Sequence, residues 1–83
     1  MLQLTLYSTD HCALCDKALD MLLAMPELMG HQLLVADITN DDVLLEEYGE
    51  RIPVLRCRSK HLDAPFGESE VKAFVTACLQ TEL

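Results

Sequence analysis

The chain has 83 residues, enough for one small domain (residues 1–83) with a single modest core. Hydrophobic residues make up 51% and charged residues 24%, the balance of a globular chain and not of a disordered one. A formal net charge of −8 argues against nucleic acid and anionic membrane surfaces as partners, because both carry charge of the same sign.

Met1 to Tyr7 alternates leucine with polar residues and predicts a first strand. Ser8 to Cys12 reads as a short loop, and a helical pattern follows from about Ala13 to Met25, with Leu14, Ala18, Met21, Leu22 and Met25 on one side. Pro26 stops that helix and Gly30 closes the connection. His31 to Ile38 holds the continuous apolar run Leu33-Leu34-Val35-Ala36, the pattern of a strand covered on both faces. Strand, helix, strand over this distance is a βαβ unit, so the two strands should be parallel with a right-handed crossover.

Thr39 to Asp42 supplies a cap and first-turn acids for a second helix, Asp41 to Tyr48, with Gly49 just past its end. Ile52 to Cys57 reads as a third strand, whose Pro53 cannot donate to a ladder and so is not a fully hydrogen-bonded central residue. A turn near Ser59-Lys60 leads to a weak fourth strand, His61 to Ala64. The last helix is the plainest, with Val71, Phe74, Val75, Cys78 and Leu79 at i, i+3, i+4, i+7 and i+8, and with Glu68 and Glu70 in its first turn.

The chemistry concentrates at Cys12-Ala13-Leu14-Cys15. The pair begins a helix, where unpaired N–H groups and the helix dipole favour an anion, and so the thiolate form of Cys12. Cys15 lies one turn on, on the same face and within reach of a disulfide. Cys12 could attack a substrate disulfide and Cys15 resolve the mixed disulfide that forms. A zinc site would need a second ligand pair, and no two of His11, His31, Cys57, His61 and Cys78 repeat the spacing, so no bound metal is expected. An inert structural pair is the other alternative. Cys78 sits in an apolar helical stripe and Cys57 alternates with Leu55, so both read as small core residues. Four of the six basic residues (Arg51, Arg56, Arg58, Lys60) fall within ten positions; this is either a solvated face or a contact surface for an acidic partner.

No apolar run approaches the ~20 residues that span a bilayer. The N-terminus enters strand pattern with no basic region, so no secretory signal is expected and a cytoplasmic, reducing location follows. In that setting a Cys-x-x-Cys is more often catalytic or metal-binding than a structural staple.

The order β-α-β-α-β-β-α, with Cys-x-x-Cys after the first strand, resembles the thioredoxin-like superfamily: a four-stranded mixed sheet flanked by three helices. Within it, Leu6-Tyr7-Ser8-Thr9 followed by Cys12 to Cys15 and Asp16-Lys17-Ala18 is similar to the glutaredoxin active-site run. Asp41 to Leu55, with Tyr48-Gly49-Glu50-Arg51-Ile52-Pro53-Val54-Leu55, resembles a segment of a glutaredoxin-like bacterial group. The resemblance implies a thiol–disulfide oxidoreductase acting on protein or glutathione mixed disulfides through Cys12 and Cys15.

 It further implies that the Ile52–Pro53 bond is cis and lies beside the cysteines, turning the Ile52 backbone toward an extended substrate. Arg51 then falls next to the substrate groove, to pair with a substrate carboxylate or to bias Cys12 toward thiolate, or else it is an ordinary exposed arginine. His11, directly before Cys12, either favours the thiolate as an imidazolium or is a plain loop residue. Tyr7 ends the first strand and could line the site.

The chain departs from glutaredoxins at three places. Ala13-Leu14 replaces Pro-Tyr, Asp10 stands where a lysine precedes the site, and Asp63 to Ser69 replaces the Gly-Gly and Ser/Thr-Asp segment that grips glutathione. Glutathione is a possible co-substrate, but Asp10, Asp16, Asp63 and Glu68 would repel it unless Arg51 compensates. The same acids oppose the thiolate and place the couple near thioredoxin and glutaredoxin, at about −200 to −270 mV. A monomer with no bound cofactor, acting on a disulfide-containing protein or a small thiol, is expected. Two other readings share the fold: a binding module whose dithiol is not catalytic, and an iron–sulfur or metal carrier that uses Cys12 as a ligand and needs a second chain or added thiols.

Overall fold

The computed structural model describes residues 2–80. In chain order it contains β1 (Gln3–Ser8), α1 (Ala13–Ala24), β2 (Gln32–Asp37), α2 (Asp42–Tyr48), β3 (Val54–Cys57), β4 (Lys60–Asp63) and α3 (Glu68–Gln80). The strands form one mixed sheet in the order β2-β1-β3-β4. β1 and β2 are parallel, with Leu4 opposite Leu33, and the other two pairings are antiparallel, with Leu6 opposite Leu55 and Leu55 opposite Leu62. This is the element order and mixed sheet that the sequence predicts.

Alternation along the strands gives the sheet two different faces. Leu4 and Leu6 of β1, with Leu55 and Cys57 of β3, meet Leu22 and Met25 from the α1 side and Val71, Val75 and Cys78 from α3. Tyr7 and Val54 point the other way and pack with Ile38 and Tyr48 beneath the short helix α2. The larger cluster is the main core, and Leu4, Leu6, Val54 and Leu55 are fully buried within the two.

Local chemistry fixes the element ends. Cys12 caps α1 through its sulfur, and Asp41 caps α2 by accepting from the N–H groups of Val43 and Leu44 at 2.9 and 3.2 Å. Pro26 opens a single 3₁₀ turn, Pro26–Leu28, and Gly30 follows at φ +88, a left-handed conformation that a glycine adopts without steric cost.

Two expectations need correction. β2 is an edge strand, bordered by β1 on one side only, and neither face of its centre is fully covered: Leu34, on the α2 face, is 42% exposed and Val35, on the face of the main core, is 51% exposed. Leu14 and Leu79, read as members of apolar helical stripes, are also exposed. β3 is an interior strand that begins at Val54, two residues later than the sequence pattern suggests, so Pro53 stays outside the ladder in keeping with its missing N–H.

Candidate active site

Thr9 to His11 carries the chain from the end of β1 into α1. His11 takes a left-handed backbone (φ 60), uncommon outside glycine, asparagine, aspartate and histidine, and the following residue, Cys12, is extended and caps the helix. The Cys15 N–H donates to Cys12 Sγ at 3.2 Å and the Asp16 N–H to the Cys12 carbonyl at 3.1 Å. The first turn of α1 is therefore closed on Cys12 by both its sulfur and its backbone oxygen. Cys12 and Cys15 are joined as a disulfide, with Cα atoms 5.2 Å apart. Cys15 is 2% exposed, whereas Cys12 is only partly covered.

Beside the dithiol runs a groove of about 670 Å³. Leu14 and Met21 of α1 form one wall, and Arg51, Ile52 and Pro53 form a second. The segment after β4, including Pro65 and Phe66, closes the third side. The Ile52–Pro53 and Ala64–Pro65 peptide bonds are both cis. Leu14, one of the two residues between the cysteines, and the loop before β3 thus face one cavity. Of the residues singled out in the sequence, Arg51, Ile52 and Pro53 line it. His11 is exposed next to Cys12 and does not line the groove.

Arg51 is heavily engaged. Its Nε and Nη2 donate to Asp63 at 2.9 and 3.0 Å, and its Nη1 donates to the Glu47 carboxylate at 3.2 Å. The guanidinium also lies over the Tyr48 ring, 5.0 Å from its centroid. The paired Arg51 guanidinium holds the Asp63 carboxyl below the usual carboxylate range, and Asp63 in turn raises Arg51. Ile52 is also engaged: its N–H donates to the Tyr48 carbonyl at 3.1 Å, so its carbonyl is the backbone group that could meet a substrate strand.

Tyr7 lies on the opposite face of the sheet from the main core, stacked on Tyr48 with centroids 4.5 Å apart, and accepts from Arg56 Nη1 at 3.0 Å. The Tyr48 hydroxyl shares a hydrogen bond of 2.8 Å with His61 Nε2. Burial, then the neighbouring Tyr7, pushes the Tyr48 hydroxyl above its ordinary value. Cys57 and Cys78 are fully buried, and burial, then Cys57, pushes the Cys78 thiol up to about 11. Among the described residues no group of three or more His, Cys, Asp or Glu side chains is arranged to hold a metal ion, and no helix is long and apolar enough to cross a membrane.

Leu14, Met21, Pro65 and Phe66 are groove residues that the sequence did not single out. Leu14 and Met21 read as core positions of an amphipathic helix, and only the exposure of Leu14, 63%, separates the two roles. The run Ala64-Pro65-Phe66, standing where glutaredoxins carry Gly-Gly, was the one available signal for the third wall.

Comparison with known proteins agrees with this architecture. Residues 3–77 match the family described as Glutaredoxin-like domain (DUF836). The chain is similar to Northeast Structural Genomics target protein XcR50 from X. campestris, whose X-ray structure is 36% identical with a TM-score of 0.75, over 89% of this chain and 96% of that one. The solution structure of the same target is 36% identical with a TM-score of 0.74, over 93% and 95%. No curated protein matches the chain. The match over nearly the whole sequence, together with the shared fold, means that the chain belongs to the glutaredoxin-like family of the thioredoxin-like superfamily.

Proposed function

We propose that the protein is a thiol–disulfide oxidoreductase that reduces disulfides of proteins, or mixed disulfides with a small thiol such as glutathione. The observation that carries this reading is the asymmetry of the pair: Cys12 is partly exposed at the start of α1, while Cys15 is 2% exposed behind it. A nucleophile must be reached by substrate, and a resolving thiol need only reach the nucleophile.

In the reduced protein the Cys12 thiolate attacks one sulfur of the substrate disulfide. A Cys12–substrate disulfide forms and the other substrate sulfur leaves as a thiolate, which takes a proton from water. Cys15 then loses its proton and attacks Cys12 Sγ, so the substrate leaves as a second thiol and the Cys12–Cys15 disulfide remains. Substrate gains two electrons and the protein loses two; an external thiol or dithiol reductant restores them. The N–H groups at the start of α1 favour negative charge on Cys12 between these steps. Ile52 and Pro53, on the groove wall, align the substrate chain. No bound cofactor is required, and a monomer in a reducing compartment such as the cytoplasm suffices.

The test is a disulfide-reduction assay with a glutathione system and a thioredoxin-reductase system run in parallel. Cys12→Ser should abolish turnover, and Cys15→Ser should accumulate a mixed disulfide visible as a mass increase. Equal, low activity in the wild type and both variants would reject the reading.

A further inference from the structure

We infer that the preferred substrate is a polypeptide disulfide with an apolar side chain beside the reacting cysteine, and that glutathione is a poor one. This rests on the oxidoreductase reading above and specifies its substrate. The groove next to the dithiol is walled largely by hydrocarbon: Leu14, Met21, Ile52, Pro65 and Phe66. Leu14, between the two cysteines, is 63% exposed, an apolar surface that a docked side chain would remove from water.

The charges on the groove cancel. Lys17 and Arg51 stand against Glu50 and Asp63, and the chain as a whole carries −8, so nothing draws in an anion from a distance. Arg51, the residue best suited to a carboxylate fork, already holds one: Asp63 occupies its Nε and Nη2, and Glu47 its Nη1. A glutathione carboxylate would have to displace Asp63, exchanging like for like with no net gain, and Lys17 alone cannot serve both glutathione carboxylates. An uncharged apolar side chain meets none of these obstacles.

The chemistry is the two-step exchange described above, with the substrate disulfide reduced and the Cys12–Cys15 disulfide formed. Prereduced full-length protein is mixed with three substrates, each the mixed disulfide of a cysteine thiol with 2-mercaptoethanol: a short peptide with leucine on both sides of its cysteine, the same peptide with glutamate there, and glutathione. Single-turnover rates are measured at subsaturating substrate, and each is divided by its rate with dithiothreitol to remove intrinsic reactivity. The leucine peptide should react at least about tenfold faster than the other two, the factor expected from burying part of one leucine side chain. Leu14→Ser and Phe66→Ser should each reduce that ratio.

Ratios within about threefold of one another in the wild type, or a faster reaction with glutathione, would overturn the inference even if neither variant folds. Bis(2-hydroxyethyl) disulfide separates the two levels of failure. If it is reduced while the three substrates react alike, only the substrate preference falls. If it is not reduced at all, the oxidoreductase reading fails and the preference with it.

Discussion

Reducing the Cys12–Cys15 disulfide leaves four thiols that the fold treats very differently, and an alkylation map should resolve them. Cys12 is partly exposed, Cys15 is 2% exposed, and Cys57 and Cys78 are 0% exposed. Alkylating reagents take the thiolate, so both ionisation and access set the rate. Burial, then Cys57, pushes the Cys78 thiol up to about 11. At about pH 8 such a thiol is ionised about one part in a thousand, against about a quarter for an unperturbed thiol near 8.5, a difference of roughly 250-fold. The competing route is opening of the fold, which restores ordinary ionisation. For a domain stable by about 5 kcal/mol, its open fraction is only about 2 × 10⁻⁴. Either route leaves Cys78 more than about a hundredfold slower than an exposed, unperturbed thiol.

The assay is iodoacetamide labelling of the reduced protein, quenched over a time course and read by peptide mass spectrometry. Cys12 should label first, Cys15 next as the first turn of α1 frays, and Cys57 and Cys78 last. If Cys78 reacts from the folded state, its rate should climb about tenfold per pH unit toward about 11. Labelling of Cys57 or Cys78 within about tenfold of Cys12, in protein that circular dichroism shows to be folded, would refute the assignment of one reactive thiol in front of three sheltered ones.

Three more outcomes follow from the same structure. The folded Cys78 thiol lies above the ordinary thiol range, so its stabilising contribution is whole below that range and is lost as pH rises through it toward about 11. Tyr48, also raised, acts in the same direction at higher pH, and a urea midpoint that does not fall across this range would contradict both. The Cys12–Cys15 couple should titrate at about −200 to −270 mV, because Asp10 and Asp16 oppose the thiolate that the helix start favours; a value above about −160 mV would contradict this. Leu55→Ala, which empties a fully buried site opposite Leu6 at the centre of the sheet, should cost about 2–5 kcal/mol by urea denaturation, and a loss below about 1 kcal/mol would show that the two-faced core is described wrongly.

The sequence exposed what depends on short-range pattern. The cysteines at the start of α1 and the stripe of Val71, Val75 and Cys78 are legible because helical spacing, caps and apolar periodicity act within a few residues. The run Leu33 to Ala36 was misleading for a physical reason: a continuous apolar strand reads the same whether helices cover it or it borders the sheet. Which of the two holds is decided by the strand order and by where the helices settle, both set by distant parts of the chain. The groove was hidden in the same way. Leu14 and Met21 satisfy the helical pattern equally well as core or as cavity wall, and Phe66 gives no periodic signal in its loop. Nor could the Arg51–Asp63 fork, twelve residues apart, be read before the β3–β4 pairing brought them together.

The cluster of basic residues late in the chain gains a meaning that its charge alone did not carry. Arg51 ties Asp63 at the end of β4 to Glu47 on α2 and covers the Tyr48 ring, while Arg56 on β3 donates to the Tyr7 hydroxyl on β1 and to the Arg58 carbonyl. These two cations therefore work within the chain, and much of what reads as a contact surface for an acidic partner is internal bracing. The bracing has a specific location. Tyr48 stacks on Tyr7, shares a hydrogen bond with His61, and accepts from the N–H groups of both Arg51 and Ile52 through its carbonyl. The Ile52–Pro53 wall of the groove is thus hung from the end of α2, on the face of the sheet away from the main core. The loop that carries one wall of the groove is held by bonds at its base, and the opposite wall, from α1, is held by the core. The two walls are positioned by separate structures, so the width of the groove between them is set by the packing of α1 on the core and by the bonds at the end of α2, not by any one residue.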